Sequence, residues 1–310
     1  MARSFSQVFT LIVAMAAGLL ASAAGVGGAA AAQDAPGTEL GARLVEHHGD
    51  EAFLRLEDVK LRESVAYPDG ATFGALKTPA GAYQAYLSTL AAVEEEAGVK
   101  TLLVNNVLRS NRVRPEVHWT RCDWDIVVVK HYPSWRAWEK VEGSGLRDAA
   151  YVHREAAVAN DHVVVAVPRI VRATRQSRPD DPTDTMIYIV NHLELREQAR
   201  YADGSYPGST GIEAYERYQG GGPLADVPRE LIIIAEVPAA LNSADAHWTR
   251  LNIVRYPSLR EVVELTRPSD HPESWWMMHR HKEAAAARHC GPITVPTLPE
   301  SSVDAAAREP

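Results

Sequence analysis

His247–Arg260 reads HWTRLNIVRYPSLR, and His118–Arg136 reads HWTRCDWDIVVVKHYPSWR. Both open on His-Trp-Thr-Arg, run through β-branched residues and close on Tyr-Pro-Ser with an arginine two places on. The β-branched run predicts a strand, and the proline ends it, because its ring fixes φ and pushes the preceding residue out of the helical region. A helix follows. Ser258 with Glu261 three residues later makes a capping box. The first copy has Ala137 at the corresponding place, which predicts a weaker cap there.

Outward from these stretches the matches continue in the same order. Phe53–Glu63 (FLRLEDVKLRE) alternates like a strand and answers Ile187–Glu197 (IYIVNHLELRE). A helix near Gly81–Ala97 places Tyr83, Tyr86, Leu87, Leu90, Val93 and Ala97 on one face, with Gly98 as its stop. Its Ala82–Tyr86 (AYQAY) answers Ala214–Tyr218 (AYERY), and Thr101–Leu108 (TLLVNNVL) answers Leu231–Val237 (LIIIAEV). A second helical piece carries His153-Arg154-Glu155-Ala156-Ala157, matched by His281-Lys282-Glu283-Ala284-Ala285. The last strands end Val165-Ala166-Val167-Pro168 and Ile293-Thr294-Val295-Pro296.

Each copy reads β-α-β-β-α-β, the ferredoxin-like arrangement, in which two helices cover one face of a four-stranded sheet. Ile126–Val129 and Ile232–Ile234 are apolar on both faces, so the uncovered face must be buried too. Two copies in one chain achieve this by packing sheet to sheet. The sequence thus resembles the dimeric α+β barrel superfamily, and looks most like small bacterial members with a Tyr/Phe-Pro-Ser turn after the third strand. The resemblance spans roughly residues 53–296. It implies an α+β fold: two tandem ferredoxin-like repeats, 53–173 and 185–296, joined by a linker at 174–184 and forming an intramolecular barrel. It implies little about function, since that superfamily holds isomerases, cofactor-free monooxygenases, haem proteins and plain ligand binders.

Polar residues on strand positions that face the space between the sheets are the candidate site. Leu54 and Leu56, with Tyr188 and Val190, make an apolar row suited to the helices, which leaves Arg55, Glu57 and Asn191 facing inward. In the third strands Val127, Val129, Leu251 and Ile253 suit the helices, which turns Lys130, Arg250 and Asn252 inward. Aligned on Tyr-Pro-Ser, which lies nearer the strand centre, Arg250 and Asn252 stand where the first copy has Ile126 and Val128, a strand kept in shape with its polarity changed; aligned on His-Trp-Thr-Arg, Arg250 matches Arg121 and the contrast weakens. An arginine, a glutamate and asparagines in an enclosed pocket orient a polar group of an apolar ligand or polarise a carbonyl. The competing reading is a structural Arg55–Glu57 ion pair.

The remaining motifs narrow the chemistry. No H-E-x-x-H or three-histidine constellation occurs; His279 and His281 are two apart on a helix and point to different faces, so no metal and no cofactor are expected. Trp275-Trp276-Met277-Met278 suits packing against a sheet, and Gly220-Gly221-Gly222-Pro223 lacks the Lys and Ser/Thr of a phosphate loop. Trp119 and Trp248 recur in both copies, which suits a structural role. Ser144 lacks the glycine spacing of a hydrolase nucleophile. Cys122 and Cys290 form either one disulfide or two buried thiols.

A formal charge of −8 over 310 residues argues against nucleic-acid partners, and 46% hydrophobic residues suffice for a core. Residues 1–32 read as an export signal, with Arg3, an apolar Val8–Ala21 and small residues after it, which predicts a mature N-terminus between Ala24 and Gln33. A lead-in segment at 33–52 and a polar tail at 297–310 complete the chain. The expectation is a periplasmic or secreted protein, free of the membrane after cleavage and open to further homo-oligomerisation. It binds a small, partly apolar molecule between two sheets, with cofactor-independent isomerisation or oxygen insertion as the candidate chemistries. The alternative is a non-catalytic binder or scaffold of the same fold.

Overall fold

Strand β1 (Phe53–Leu61) alternates Leu54, Leu56 and Asp58 with Phe53, Arg55, Glu57 and Val59, and both rows are buried. That double burial sets the architecture. In the computed structural model, which describes residues 50–68, 77–110, 118–171, 186–220, 229–240, 247–265 and 273–296, β1 lies between β3 (Ile126–Tyr132) and β4 (Val158–Val171). The other strands are β2 (Lys100–Ser110), β5 (Ile187–Leu195), β6 (Glu230–Ala240), β7 (Arg250–Tyr256), β8 (Ala286–Cys290) and β9 (Pro292–Pro296). The helices are α1 (Pro79–Glu96), α2 (Trp135–Glu142), α3 (Gly145–Ala157), α4 (Gly211–Gly220), α5 (Leu259–Leu265) and α6 (Glu273–Ala285). The signal segment, the lead-in as far as residue 49, the linker 174–184, the glycine run beyond Gly220 and the tail 297–310 lie outside the described residues.

The strands bond in the order β7-β6-β4-β1-β3-β2-β9-β5, and β5 pairs with β7 to close an eight-stranded barrel; β8 continues beside β5 on the far side of Gly291. Within it β4-β1-β3-β2 follow one another, then β9/β8-β5-β7-β6. The two arcs meet edge to edge at β4–β6 and β2–β9. At the second seam Asn105 Nδ2 donates to Thr294 Oγ1 at 2.7 Å, both fully buried. Closure leaves no open sheet edge in the ring.

The barrel interior is packed. Leu54, Leu56, Val127, Val129, Val164, Val190, Leu251 and Ile253 meet there with Trp119, Trp124 and Trp248. Trp119 and Trp248 stand edge to face at 5.3 Å. Cys122 and Cys290 are joined in a disulfide, Cα to Cα 5.6 Å, tying the segment before β3 to the end of β8.

Helices cover the outside. Phe53, Val59, Val128 and Tyr132 pack on Tyr83, Tyr86, Leu90, Trp135 and Trp138, with the Phe53 and Tyr132 rings stacked at 5.1 Å. Thr78 caps α1 with Pro79 at its first position, and Gly98 takes φ +74° just past its end. The expected weak cap of α2 is corrected. Ser134 Oγ accepts from the Ala137 amide at 3.1 Å, against 3.3 Å for Ser258 and the Glu261 amide. The hydroxyl needs only the backbone N–H, whatever side chain that residue carries.

Candidate functional site

The structure reverses the expected direction of the six polar strand residues. Leu54, Leu56, Val127, Val129, Leu251 and Ile253 fill the barrel interior, so Arg55, Glu57, Lys130, Asn191, Arg250 and Asn252 face the helices instead. The reason is chemical: the helices bring counter-charges and hydroxyls to this side, while the interior is walled by aliphatic side chains and tryptophans. Nor do the six meet in one place. Arg55, Glu57 and Lys130 lie under α1 and α3, and Asn191, Arg250 and Asn252 lie under α4 and α6.

In the first group every charge is answered. Glu57 bonds Arg55 at 2.7 Å and Arg154 of α3 at 2.7 Å, and Arg154 also reaches Asp161 at 2.6 Å. Burial alone pushes the Glu57 carboxyl up, but Arg154 and Arg55 outweigh it and hold the pKa at about 2. Lys130 is buried against Glu94 of α1. This is the structural ion pairing weighed as the competing reading, widened into a network.

The second group is not answered. Asn191 and Asn252 stand directly opposite each other across β5 and β7. Asn252 donates from Nδ2 to Tyr215 Oη at 3.1 Å, but its Oδ1 is buried without a partner. Arg250 lies with its guanidinium 5.8 Å from the Tyr215 ring centre and a buried, unpartnered Nη1. Asn191 Oδ1 accepts from His289 Nε2 at 3.0 Å, and burial, then Lys282, drive the His289 pKa well below its ordinary value, so the ring is neutral. Gly291 makes room for that ring, since a Cβ there would stand 2.8 Å from it.

Lys282, on the α6 face, was not among the expected residues. It is 8% exposed, lies 5.5 Å from the Tyr218 ring centre and has no ion pair among the described residues. Burial pulls its pKa down to about 8. Tyr218 stacks on Tyr215 at 5.6 Å, so Lys282, Tyr218, Tyr215, Asn252, Asn191 and His289 form one connected set. Its one sequence signal was the repeat, since Lys282 stands where Arg154 stands in the first copy, and Asn191 where Glu57 does. Where the first half has the Arg154–Glu57 ion pair, the second half has Lys282 and Asn191 at the corresponding positions.

The interior holds a polar group of its own. Asp58 of β1, His162 of β4 and His192 of β5 meet there, each at most 1% exposed, with Asp58 Oδ2 2.9 Å from His162 Nδ1 and 3.1 Å from His192 Nε2. Trp248 Nε1 donates to His162 Nε2 at 2.8 Å. An indole N–H only donates, so His162 carries its proton on Nδ1 and gives it to Asp58. Burial raises the Asp58 pKa, yet His192 and His162 together bring it below the ordinary value, which keeps it ionised. Sequence reading missed this group because its members lie on three separate strands with no motif spacing.

No protein-family model matches the chain, and no curated protein matches it. Among solved structures, a protein of unknown function from Rhodopseudomonas palustris is 26% identical over 41% of this chain and 90% of its own, with a TM-score of 0.34. An anthrone oxidase-like protein is 8% identical over 81% of this chain and 93% of its own, at 0.45. A heme-binding protein from Thermus thermophilus is 11% identical over 82% of this chain and 94% of its own, at 0.39.

Proposed function

We propose that the second half of the barrel binds a small, partly apolar molecule through an anionic or carbonyl oxygen, between β5/β7 and helices α4 and α6. One contrast carries the reading. On the helix side of the first half Arg55, Lys130 and Arg154 are all ion-paired, whereas on the helix side of the second half the buried Lys282 and the half-buried Arg250 have no counter-charge among the described residues. A buried cation without a partner costs several kcal/mol. A ligand anion that supplies the missing charge is a reason to keep it. Lys282 and Arg250 would take the charge, Asn252 would orient it, and the Tyr215 and Tyr218 rings would wall the apolar remainder.

Toward a neutral carbonyl ligand, which brings no anion to hold the ammonium protonated, an amine with a pKa of about 8 is a serviceable base near neutral pH. Beside a carbonyl polarised by Arg250 or Asn252 it favours isomerisation through an enolate over oxygen insertion. The second reading, a non-catalytic binder, rests on the same ligand contacts without turnover.

The chain's history and address belong to the same proposal: a tandem duplication within the dimeric α+β barrel superfamily, exported to the periplasm or medium. The ordered sequence matches and the like strand order of the two arcs support the first. The order of basic, apolar and small residues in 1–32 and a disulfide suited to an oxidising compartment support the second.

The test is a thermal-shift screen of aromatic and aliphatic carboxylates and enolisable keto acids, with native mass spectrometry to detect a co-purified compound. Stabilisation of the wild type that is lost in Lys282→Met and Arg250→Ala supports the proposal. Ligands that stabilise all three proteins equally, or none at all, overturn it.

A further inference from the structure

The Asp58, His162 and His192 group does not belong to the binding region just described, since it lies on the opposite side of the strands, inside the barrel. One ligand-capable atom from each residue lies within 4.8 Å of the others. The residues come from β1, β4 and β5, so both arcs of the barrel contribute.

This group is short of hydrogen-bond partners. Asp58 Oδ1 is buried with no hydrogen bond. His192 is fully buried, and neither ring nitrogen makes an aligned hydrogen bond, although Nε2 is 3.1 Å from Asp58 Oδ2. Three orphaned polar atoms in one small volume are uncommon in a packed interior, because each gives up its hydration without compensation. The walls offer no relief. The Trp119, Trp124 and Trp248 rings lie 5.0–6.0 Å from the His162 ring, and Trp248 lies 5.6 Å from the His192 ring. Trp248 has its single donor committed to His162.

We propose that Asp58, His162 and His192 bind a divalent transition-metal ion, zinc or iron(II) in class, at the junction of the two arcs inside the barrel. One carboxylate and two imidazoles are a donor set those ions favour, and three protein ligands leave a position open for water or another small ligand. The ion answers the two deficits at once: it accepts the free lone pairs of His192 and Asp58, and it places positive charge beside a buried carboxylate.

Coordination has a consequence at Trp248. His162 reaches the group through Nδ1, which carries its proton when the indole donates to Nε2. To ligate through Nδ1, His162 moves that proton to Nε2, with no net gain or loss. Nε2–H then faces the indole N–H, donor against donor, and Trp248 must turn away. Metal binding and the Trp248–His162 hydrogen bond therefore exclude each other. Replacing Trp248 by phenylalanine removes the competitor.

The experiment uses the full chain with its disulfide intact. Metal content is measured by elemental analysis, and chelator-treated protein is titrated with Zn2+ by tryptophan fluorescence and with Co2+ by visible absorption. The wild type is expected to take up one equivalent, with Co2+ bands of a nitrogen- and oxygen-ligated ion and a fluorescence change. Trp248→Phe is expected to bind more tightly and to lose most of that change. His192→Phe, which fills the same space without a ligand, is expected to lose the metal. Wild-type protein that neither carries nor takes up an equivalent of metal overturns the proposal, as does His192→Phe protein that binds metal as the wild type does. Should His192→Phe fail to fold, the wild-type stoichiometry and the Trp248→Phe affinity decide alone, and an unchanged affinity in Trp248→Phe counts against the site.

Discussion

Asp58 and His192 stand at the same place along β1 and β5 and meet at 3.1 Å inside the barrel. Two identical halves would set like against like at such a place, either two carboxylates, which repel each other, or two imidazoles with no acid between them. Halves joined in one chain are free to differ. The same freedom shows on the helix side, where Glu57 with Arg154 in one half corresponds to Asn191 with Lys282 in the other. One half carries the acid and its ion pairs, and the other carries an amide at that position.

The Glu57 network makes the protein acid-sensitive. The folded-state pKa of about 2 lies below the ordinary 4.5, so the network's stabilisation is complete above pH 4.5 and is lost as pH falls toward 2. The shift corresponds to about 3 kcal/mol. Glu57→Gln leaves Arg55 buried without an anion and Arg154 with Asp161 alone, and is expected to cost roughly 3–5 kcal/mol at neutral pH. Urea unfolding at pH 7 and pH 3 measures both, and the pH dependence should flatten in the variant.

Lys282 gives a pH dependence of the same sign in a higher window, but there it marks a cost rather than a gain. Its folded pKa of about 8 lies below the ordinary 10.5, so the unfolded chain binds more protons between those values and stability rises with pH across that window. At neutral pH the buried ammonium is a liability. Lys282→Met is therefore expected to stabilise the ligand-free protein by roughly 1–3 kcal/mol while abolishing carboxylate binding. A melting temperature that falls in the variant would contradict the reading of Lys282 as an uncompensated cation.

Cys122 and Cys290 close a loop across a sequence separation of 168 residues. Replacing both by alanine is expected to lower stability by about 2–5 kcal/mol, chiefly by freeing the unfolded chain. The urea midpoint of the double variant, set beside that of the wild type with and without reductant, measures this. Reductant should have no effect on the variant.

Gly291→Ala puts a methyl group 2.8 Å from the His289 ring and forces the imidazole off Asn191. The expected cost is about 1–3 kcal/mol, because the ring is buried and has little room to move. The His289 ring resonances in NMR should shift, and those of His162 on the other side of the sheet should not.

The amino-acid sequence by itself determined the barrel's plan. Two matched runs of strands and helices, with strands such as Ile126–Val129 apolar on both faces, require each sheet to be covered by helices on one side and by another sheet on the other. Alternation also separated each strand into two rows correctly: Leu54 with Leu56, Arg55 with Glu57, Arg250 with Asn252. Only the tertiary structure decided which row faces which layer. Strand periodicity fixes that neighbours point apart but carries no sign, and a strand buried on both faces offers no solvent side to supply one. The sign came from partners distant in sequence, Arg154 for Glu57 and Tyr215 for Asn252, carried by helices whose placement no local pattern encodes. The meeting of Asp58, His162 and His192, and the pairing of Cys122 with Cys290, were decided the same way, by closure of the sheet into a ring.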